Sequence, residues 1–248
     1  MEAYTQFAAV YDRLMADMPY PRWLAFADAC WRRYGKPATV VDLGCGTGSI
    51  ALPLARAGYT VYGIDLSSDM LAIARSKQDD AAASGTAIWL RQDMTEWDVG
   101  RPVDSVVSFC DCLNYLTDDD DVLDAFRATY RGLKPGGVFL FDVHAPRTLA
   151  RYAEEQPFVL DEPDVAYIWT SELDEDRMEI EHRLTIFAER SGGAYARIEE
   201  VHVQRAYDAE WIREALLATG FSQVDRYADF ELEAPDGDAE RLFFAAVK

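Results

Sequence analysis

Histidine, cysteine and positive charge are scarce in this chain. Its 248 residues include 3 histidines, 4 cysteines, and 24 lysines and arginines against 44 aspartates and glutamates. The cysteines, Cys30, Cys45, Cys110 and Cys112, contain no C-x-x-C pair, which argues against a disulfide framework or a zinc motif; all four are expected to be reduced. His144, His182 and His202 are too scattered for a metal site, and no metal is expected. A formal charge of -20 repels phosphate backbones, so a nucleic-acid partner is not expected. No apolar run reaches the length of a membrane span. The start, Met1-Glu2-Ala3-Tyr4, lacks the positive segment of a secretory signal, so the expected setting is cytoplasmic, away from membranes.

What is present is a core. Half of the residues are hydrophobic and 12% are aromatic, enough for one domain with a small addition. Residues 1–36 are aromatic-rich and read as at least two helices, broken near Pro19 and Pro21. From 38 to 143 apolar runs alternate with helical segments, the signature of a parallel sheet covered on both faces. Strands are expected at 39–43, 60–64, 87–91, 105–109 and 138–143, with helices at 49–57, 69–83 (capped by Ser67 or Ser68) and 120–132, and a turn at Lys134-Pro135-Gly136-Gly137. The period then changes to two. Residues 144–206 hold three long alternating segments, with Val165, Tyr167 and Trp169 on one face of the first. Met178, Ile180, His182, Leu184 and Ile186 share a face of the second, and Ile198, Glu200, His202 and Gln204 a face of the third. Turns are expected near 174–176 and 191–193. The core resumes with a helix at 209–218, a strand at 222–229, an acidic loop at 231–240 and a strand at 241–247.

The first expected strand runs into Asp42-Leu43-Gly44-Cys45-Gly46-Thr47-Gly48. Glycines there let backbone approach a ligand, and the following helix points its amide end inward. Asp65 ends the second strand, where an acid can grip ribose hydroxyls. Asp93 follows the third, where an acid can accept from an adenine amino group. The spacing is G-x-G-x-G, not the G-x-G-x-x-G of nicotinamide-binding loops, which weighs against a nicotinamide oxidoreductase.

These three motifs, in this order, resemble the class I S-adenosylmethionine (SAM)-dependent methyltransferases. Tyr11-Asp12, Met18-Pro19-Tyr20, Phe109-Cys110-Asp111, Leu113-Asn114-Tyr115 and Phe141-Asp142-Val143-His144 narrow the resemblance to bacterial small-molecule methyltransferases. The layout is similar to glycine N-methyltransferases and to N,N-dimethyltransferases of nucleotide-linked amino sugars. The resemblance implies an α/β, Rossmann-like, seven-stranded, mostly parallel sheet whose last strand runs antiparallel beside strand 5. It is built from 1–143 and 207–248, with 1–36 a helical cap and 144–206 an inserted antiparallel β lid above the strand ends. It also implies SAM as cofactor and S-adenosylhomocysteine as product. Gly44, Gly46 and Gly48, with Cys45 in the same loop, would lie along the methionine end, Asp42 would meet its amino group directly or through water, and Asp65 would take the ribose. Asp93 would take the adenine amino group, Leu66 and Met94 would sandwich the ring, Cys110 would pass near the methionyl moiety, and Tyr11 and Tyr20 would close over the cofactor.

The acceptor side is thinner. Asp111, Asn114 and Tyr115 lie in the loop after strand 4, where nucleic-acid amino-methylating enzymes carry Asp/Asn-Pro-Pro-aromatic; the proline pair is missing here. His144, after strand 5, can act as general base or hydrogen-bond donor. His182 and His202 read as packing or lining residues, and Arg147 and Arg205 as surface residues able to meet an anion. The expected activity is methyl transfer to a small-molecule acceptor, an amine nitrogen ahead of an oxygen. A non-catalytic SAM-binding module and a protein acceptor are the other readings. The exposed inserted sheet is a surface on which a second copy can pair as a homodimer.

Overall fold

A computed structural model describes residues 3–78, 84–190, 192–234 and 239–248. Two helices open it, α1 (Ala3–Leu14) and α2 (Tyr20–Tyr34), with Pro21 in the first turn of α2, where a missing amide costs nothing. Then follow β1 (Thr39–Leu43), α3 (Ala51–Arg56), β2 (Thr60–Asp65), α4 (Ser68–Ser76), β3 (Thr86–Arg91), β4 (Val103–Ser108), a short 3-10 turn at Cys112–Tyr115, α5 (Asp119–Gly132) and β5 (Leu133–His144). The cap of α4 is Ser67, whose Oγ accepts from Met70 N at 3.3 Å. The tail of the expected 69–83 helix, 79–83, lies outside the described residues, as do Ser191 of the expected 191–193 turn and 235–238 of the acidic loop.

The chain then forms α6 (Pro146–Glu155), β6 (Phe158–Asp161), β7 (Val165–Asp174), β8 (Glu179–Arg190) and β9 (Ala194–Arg205), before closing with α7 (Ala209–Thr219), β10 (Gln223–Ala228) and β11 (Arg241–Val247). Asp208 caps α7, accepting from Glu210 N and Trp211 N at 2.9 Å. Seven strands make one sheet in the order β10-β11-β5-β4-β1-β2-β3, with β11 antiparallel to both neighbours and the β5-β4-β1-β2-β3 run parallel. The central strands read as near-continuous apolar runs because both faces are covered. Val122, Phe126, Ile212 and Leu216 pack with Phe139 and Phe141 on one side, and Trp23, Phe26, Trp31 and Leu54 with Val40, Val61 and Phe243 on the other.

Three expectations need correcting. Residues 134–137 are not a free turn ahead of β5: the strand starts at Leu133, opposite Val103, and the four residues bulge before pairing resumes at Ser105 and Val138. The insert holds four strands and a helix, in the order β6-β7-β8-β9, not three strands alone. Helix α6 has only Thr148 and Leu149 buried, and β6 is four half-exposed residues, so neither carries a long periodic pattern. Met178 falls in the turn before β8 with φ 48°, off the face expected for it. The remaining inner-face positions hold. Ile180, His182, Ile186, Ile198, Glu200 and Gln204 are buried, whereas Ile168 and Val201, of opposite parity, are about half exposed.

Candidate functional site

A cleft of about 1130 Å³ lies where the carboxyl ends of β1, β2 and β4 meet the inner face of the four-stranded sheet. Its walls include Asp42, Gly44, Cys45, Gly46, Asp65, Leu66, Asp93, Met94, Cys110, Asp111, Tyr115 and His144, with Tyr11 and Tyr20 from the opening helices. The structure therefore brings together the sequence-expected site residues except Asn114 and Gly48, whose Cα faces Trp89, Ala74 and Leu52 in the core.

At the β1 end, the loop turns on glycines with left-handed backbone. Gly44 has φ 72°, and a Cβ there would lie 2.6 Å from Cys112 Sγ; Gly46 has φ 51°, and a Cβ there would meet no atom within 4 Å. The second glycine thus opens onto space. Gly46 N donates to Asp65 Oδ2 at 2.8 Å and Ser67 N to Asp65 Oδ1 at 2.8 Å, which fixes the carboxylate across the loop. Each carboxylate oxygen has a further lone pair for a ligand hydroxyl. Burial raises the pKa of Asp65, against the pull of those amides. Behind it, Asp42 is 2% exposed and its Oδ2 has no hydrogen-bond partner. Burial, then the charge of Asp65, pushes its pKa up to about 8. A buried acceptor without a donor favours a bound cation or N–H group. Asp93 Oδ1 accepts from Thr95 N at 2.9 Å and Thr95 Oγ1 at 2.8 Å, which orients the side chain.

Helix α1 lies across this end. Asp12 takes a short hydrogen bond from Thr47 Oγ1 and one from Lys77 Nζ at 2.7 Å, and Arg13 pairs with Asp164 beside the second sheet. Burial raises the pKa of Tyr11 well above its ordinary value and that of Tyr20 to about 12, so both hydroxyls keep their protons.

The other half is built around a charge network that sequence reasoning missed. Cys110 and Asp111 both have positive φ, 62° and 53°, a costly backbone for residues with a Cβ. Asp142, fully buried on β5, holds them there: its Oδ1 accepts from Cys110 N at 2.9 Å and its Oδ2 from Asp111 N at 3.2 Å. Trp23 Nε1 also donates to Asp142 Oδ1 at 2.8 Å, which places this ring in the support and not on the cleft wall. Arg241, first residue of β11 and in register with His144, makes a short hydrogen bond to Asp142 Oδ2 and a 3.0 Å bond to Asp111 Oδ1. His144 Nε2 lies 3.3 Å from Asp111 Oδ1, and Gln204 Nε2 donates to Asp111 Oδ2 at 2.8 Å. Burial pushes the pKa of Asp111 up, but His144 and Arg241 outweigh it and hold the carboxyl well below the ordinary range. Burial raises that of Asp142, partly offset by Arg241.

Asn114 was expected in the chemistry and is not on the cleft wall. Its Nδ2 donates to Arg205 O at 2.8 Å and its Oδ1 accepts from His144 N at 3.0 Å, so both ends of the amide are consumed by backbone and its part is positional. Arg205 is tied to Asp119 at 2.8 Å and to Thr117 O at 2.9 Å; neither it nor Arg147 lines the cleft. His182 and His202 do line it, with Tyr152, Tyr167, Trp169 and Gln204. The available signals were weak but real: an acid inside the apolar run of β5, and an arginine heading the apolar run of β11.

A methyltransferase-domain family model matches residues 40–137. The chain is 37% identical over 247 residues to a protein of Geobacillus sp. (strain WCH70) that carries the name methyltransferase, covering 99% of each chain. It is 39% identical over 246 residues to YqeM of Bacillus subtilis (strain 168), similarly named, covering 99% of this chain and 97% of the other. The chain belongs to the class I SAM-dependent methyltransferases. The crystal structure of a SAM-dependent methyltransferase from Clostridium acetobutylicum ATCC 824 superposes on this enzyme with a TM-score of 0.87 at 28% identity, covering 98% of each chain. The methyltransferase has the sheet order expected of its class, with the reversed strand between β5 and β10. Among the described residues no helix is long and apolar enough to cross a membrane.

Proposed function

We propose that this methyltransferase acts on the nitrogen of a small amine bound beneath the four-stranded sheet. The observation that carries this reading is the acceptor half of the cleft. There an ionised carboxylate, Asp111, is held beside His144 and faces a wall of Tyr152, Tyr167 and Trp169. Aromatic faces and a fixed negative charge both attract an ammonium group, the resting form of an amine.

The cofactor end fits SAM on its own terms. The unpartnered Oδ2 of Asp42 suits an ammonium group, the space above Gly46 admits a chain that a side chain would block, and Asp65 retains lone pairs for two hydroxyls. We assign Asp93 to the adenine amino group, Leu66 and Met94 to the ring faces, Cys45 and Cys110 to the methionyl segment, and Tyr11 and Tyr20 to the roof. When bound, SAM supplies a methyl group already activated on a sulfonium, so the chain's task is to align the nucleophile and exclude water. Alignment can supply about 7–11 kcal/mol of the barrier. His144, steadied by Asp111, accepts the proton that the amine releases, Tyr115 flanks the entry, and Asn114 holds the backbone of His144. The same His144–Asp111 pair would deprotonate a hydroxyl, which keeps O-methylation as the second reading.

The test is calorimetric titration of SAM and S-adenosylhomocysteine into wild type and Asp65→Ala, then a screen of amines and phenols for transfer. The substitution is expected to weaken SAM about ten- to a hundredfold, the worth of hydrogen bonds to a charged group. A folded wild-type protein that binds neither nucleoside would sink the reading. A pH signature accompanies it. Asp42 in the free protein is largely protonated at pH 7 because its pKa is raised to about 8, and an ammonium beside it favours the ionised form. Binding should therefore release a proton near pH 7, and affinity should rise with pH up to about 8. Titrations in two buffers of unlike ionisation enthalpy read this directly, and buffer-independent heats would remove Asp42 from the ammonium site.

A further inference from the structure

His182 lies on the inner face of β8, 4% exposed, directly opposite Ser171 on β7 and His202 on β9. Its Nδ1 receives Trp169 Nε1 at 3.0 Å and lies 2.8 Å from Ser171 Oγ. An indole nitrogen can only donate. Nδ1 is therefore an acceptor without a proton, the serine hydroxyl can only donate to it, and in the neutral ring the proton must sit on Nε2. Burial lowers the pKa of His182 to about 4, assisted by His144 and His202, so the ring is neutral in ordinary buffers. Tyr152 and Trp169 stand nearly edge-on to it, with ring centroids at 5.6 and 5.1 Å, and all three rings line the cleft. The result is a neutral donor of fixed tautomer set in an aromatic wall.

The charges nearby narrow what that donor can meet. The arginines on the cleft wall are Arg91 and Arg241. Arg91 Nε is bound to Leu66 O at 3.0 Å, at the nucleoside end, and Arg241 is shared by Asp111 and Asp142. An anionic substituent on the acceptor would thus be desolvated against Asp111 without a cation of its own, whereas a hydroxyl or ether oxygen needs only the one N–H.

Resting on the amine reading above, we propose that His182 is a specificity-determining residue whose Nε2–H donates to a neutral oxygen, hydroxyl or ether, carried by the amine acceptor. The idea goes past methyl transfer to the identity of the acceptor: an oxygen-bearing amine, selected by a lid residue that takes no part in the transfer itself. Ser171 is a positioning residue in this scheme, because it fixes the tautomer from behind the cleft wall; Trp169 fixes it as well while its ring lines the acceptor space.

The test compares kcat/KM for aminocyclohexanol, cyclohexylamine and aminocyclohexanecarboxylate in wild type and His182→Phe. Wild type is expected to favour the amino alcohol over the plain amine by about tenfold or more, as sites built around a hydrogen bond do, and over the amino acid as well. In His182→Phe the preference over the plain amine should fall to about one while SAM affinity, read by calorimetry, stays at the wild-type value. Equal rates for amino alcohol and plain amine in wild type overturn the proposal and leave the amine reading standing; a preference for the amino acid overturns the neutral-oxygen assignment. If neither amine is methylated while SAM binds, the amine reading fails. Nitrogen NMR of histidine-labelled wild type then judges His182 independently, and also does so if the variant fails to fold. A protonated Nε2 with a bare Nδ1 at pH 7 is expected, and an Nδ1–H tautomer or a doubly protonated ring overturns the proposal.

Discussion

Arg241→Met is expected to lower kcat/KM by about a hundredfold or more and to destabilise the protein by about 3–5 kcal/mol. Arg241 is the sole cation bonded to both Asp111 and Asp142 among the described residues. Methionine keeps much of the length and apolar stem but takes the shared guanidinium from two buried carboxylates, leaving Asp142 with neutral donors alone, and breaking a buried pair by removing one partner is the costly case. The catalytic loss follows from geometry. Asp142 holds Cys110 and Asp111 in left-handed backbone, and Asp111 orients His144. A displacement of about 1 Å at that loop is enough for the loss named.

The pH dependence has a sign that distinguishes this cause from lost packing. In wild type, Asp111 has a depressed pKa, so the unfolded chain binds more protons. That contribution to stability is present above the ordinary aspartate pKa of about 4 and is lost as pH falls below it. In the variant Asp142, raised by burial even with Arg241 in place, loses that cation and its folded pKa rises further, while Asp111 keeps His144 and Gln204. At Asp142 the folded state then binds more protons, and stability declines as pH climbs from about 4 through that raised value. Urea denaturation at pH 5 and pH 7 should show a larger deficit at pH 7. A deficit that does not change with pH would assign the loss to packing alone.

The second large effect separates two neighbouring glycines. Gly44→Ala places a methyl 2.6 Å from Cys112 Sγ and 2.9 Å from its Cβ, on backbone with φ 72°. Left-handed backbone and overpacking together should cost about 2–5 kcal/mol of stability. Gly46→Ala carries only the backbone cost, about 1–2 kcal/mol, because its Cβ meets no protein atom. That methyl enters the space assigned to SAM, so Gly46→Ala should lose SAM affinity out of proportion to its stability, with Gly44→Ala the less stable protein. Calorimetry alongside chemical denaturation reads both quantities. Wild-type SAM affinity in a folded Gly46→Ala protein would move the cofactor away from this loop.

How much of this was legible depended on distance along the chain. Gly44, Asp65 and Asp93 each close a strand of the parallel sheet, and strand-end position can be read from a short apolar run and the residue after it. The alternation of Ile180, His182 and Ile186, and of Ile198, Glu200 and Gln204, disclosed which side of the second sheet is buried, because period two survives in long strands with unlike faces. The network around Asp111 was hidden. Asp111 stood out by its loop, but its partners Asp142, Gln204 and Arg241 come from three further elements, up to 130 residues away, and each taken singly looks like an ordinary polar residue. Asn114 misled for the converse reason: it stands in the right loop, but only the fold shows that its amide is spent on the backbone of Arg205 and His144. Helix α6 and strand β6 were missed because short, half-exposed elements leave little pattern.

The amide of Asn114 grips the residue where the chain leaves the parallel sheet and the residue where the second sheet ends. The two ends of the insertion are thereby riveted side by side on the platform that carries Asp111, His144 and Arg241. A replacement of residues 145–203 by the matching stretch of a relative would keep the rivet and the Asp111, His144, Gln204 and Arg241 cluster while exchanging Tyr152, Trp169 and His182. With the acceptor placed as proposed, such architecture would let its selection drift through the inserted segment while the groups on the parallel sheet stay where they were.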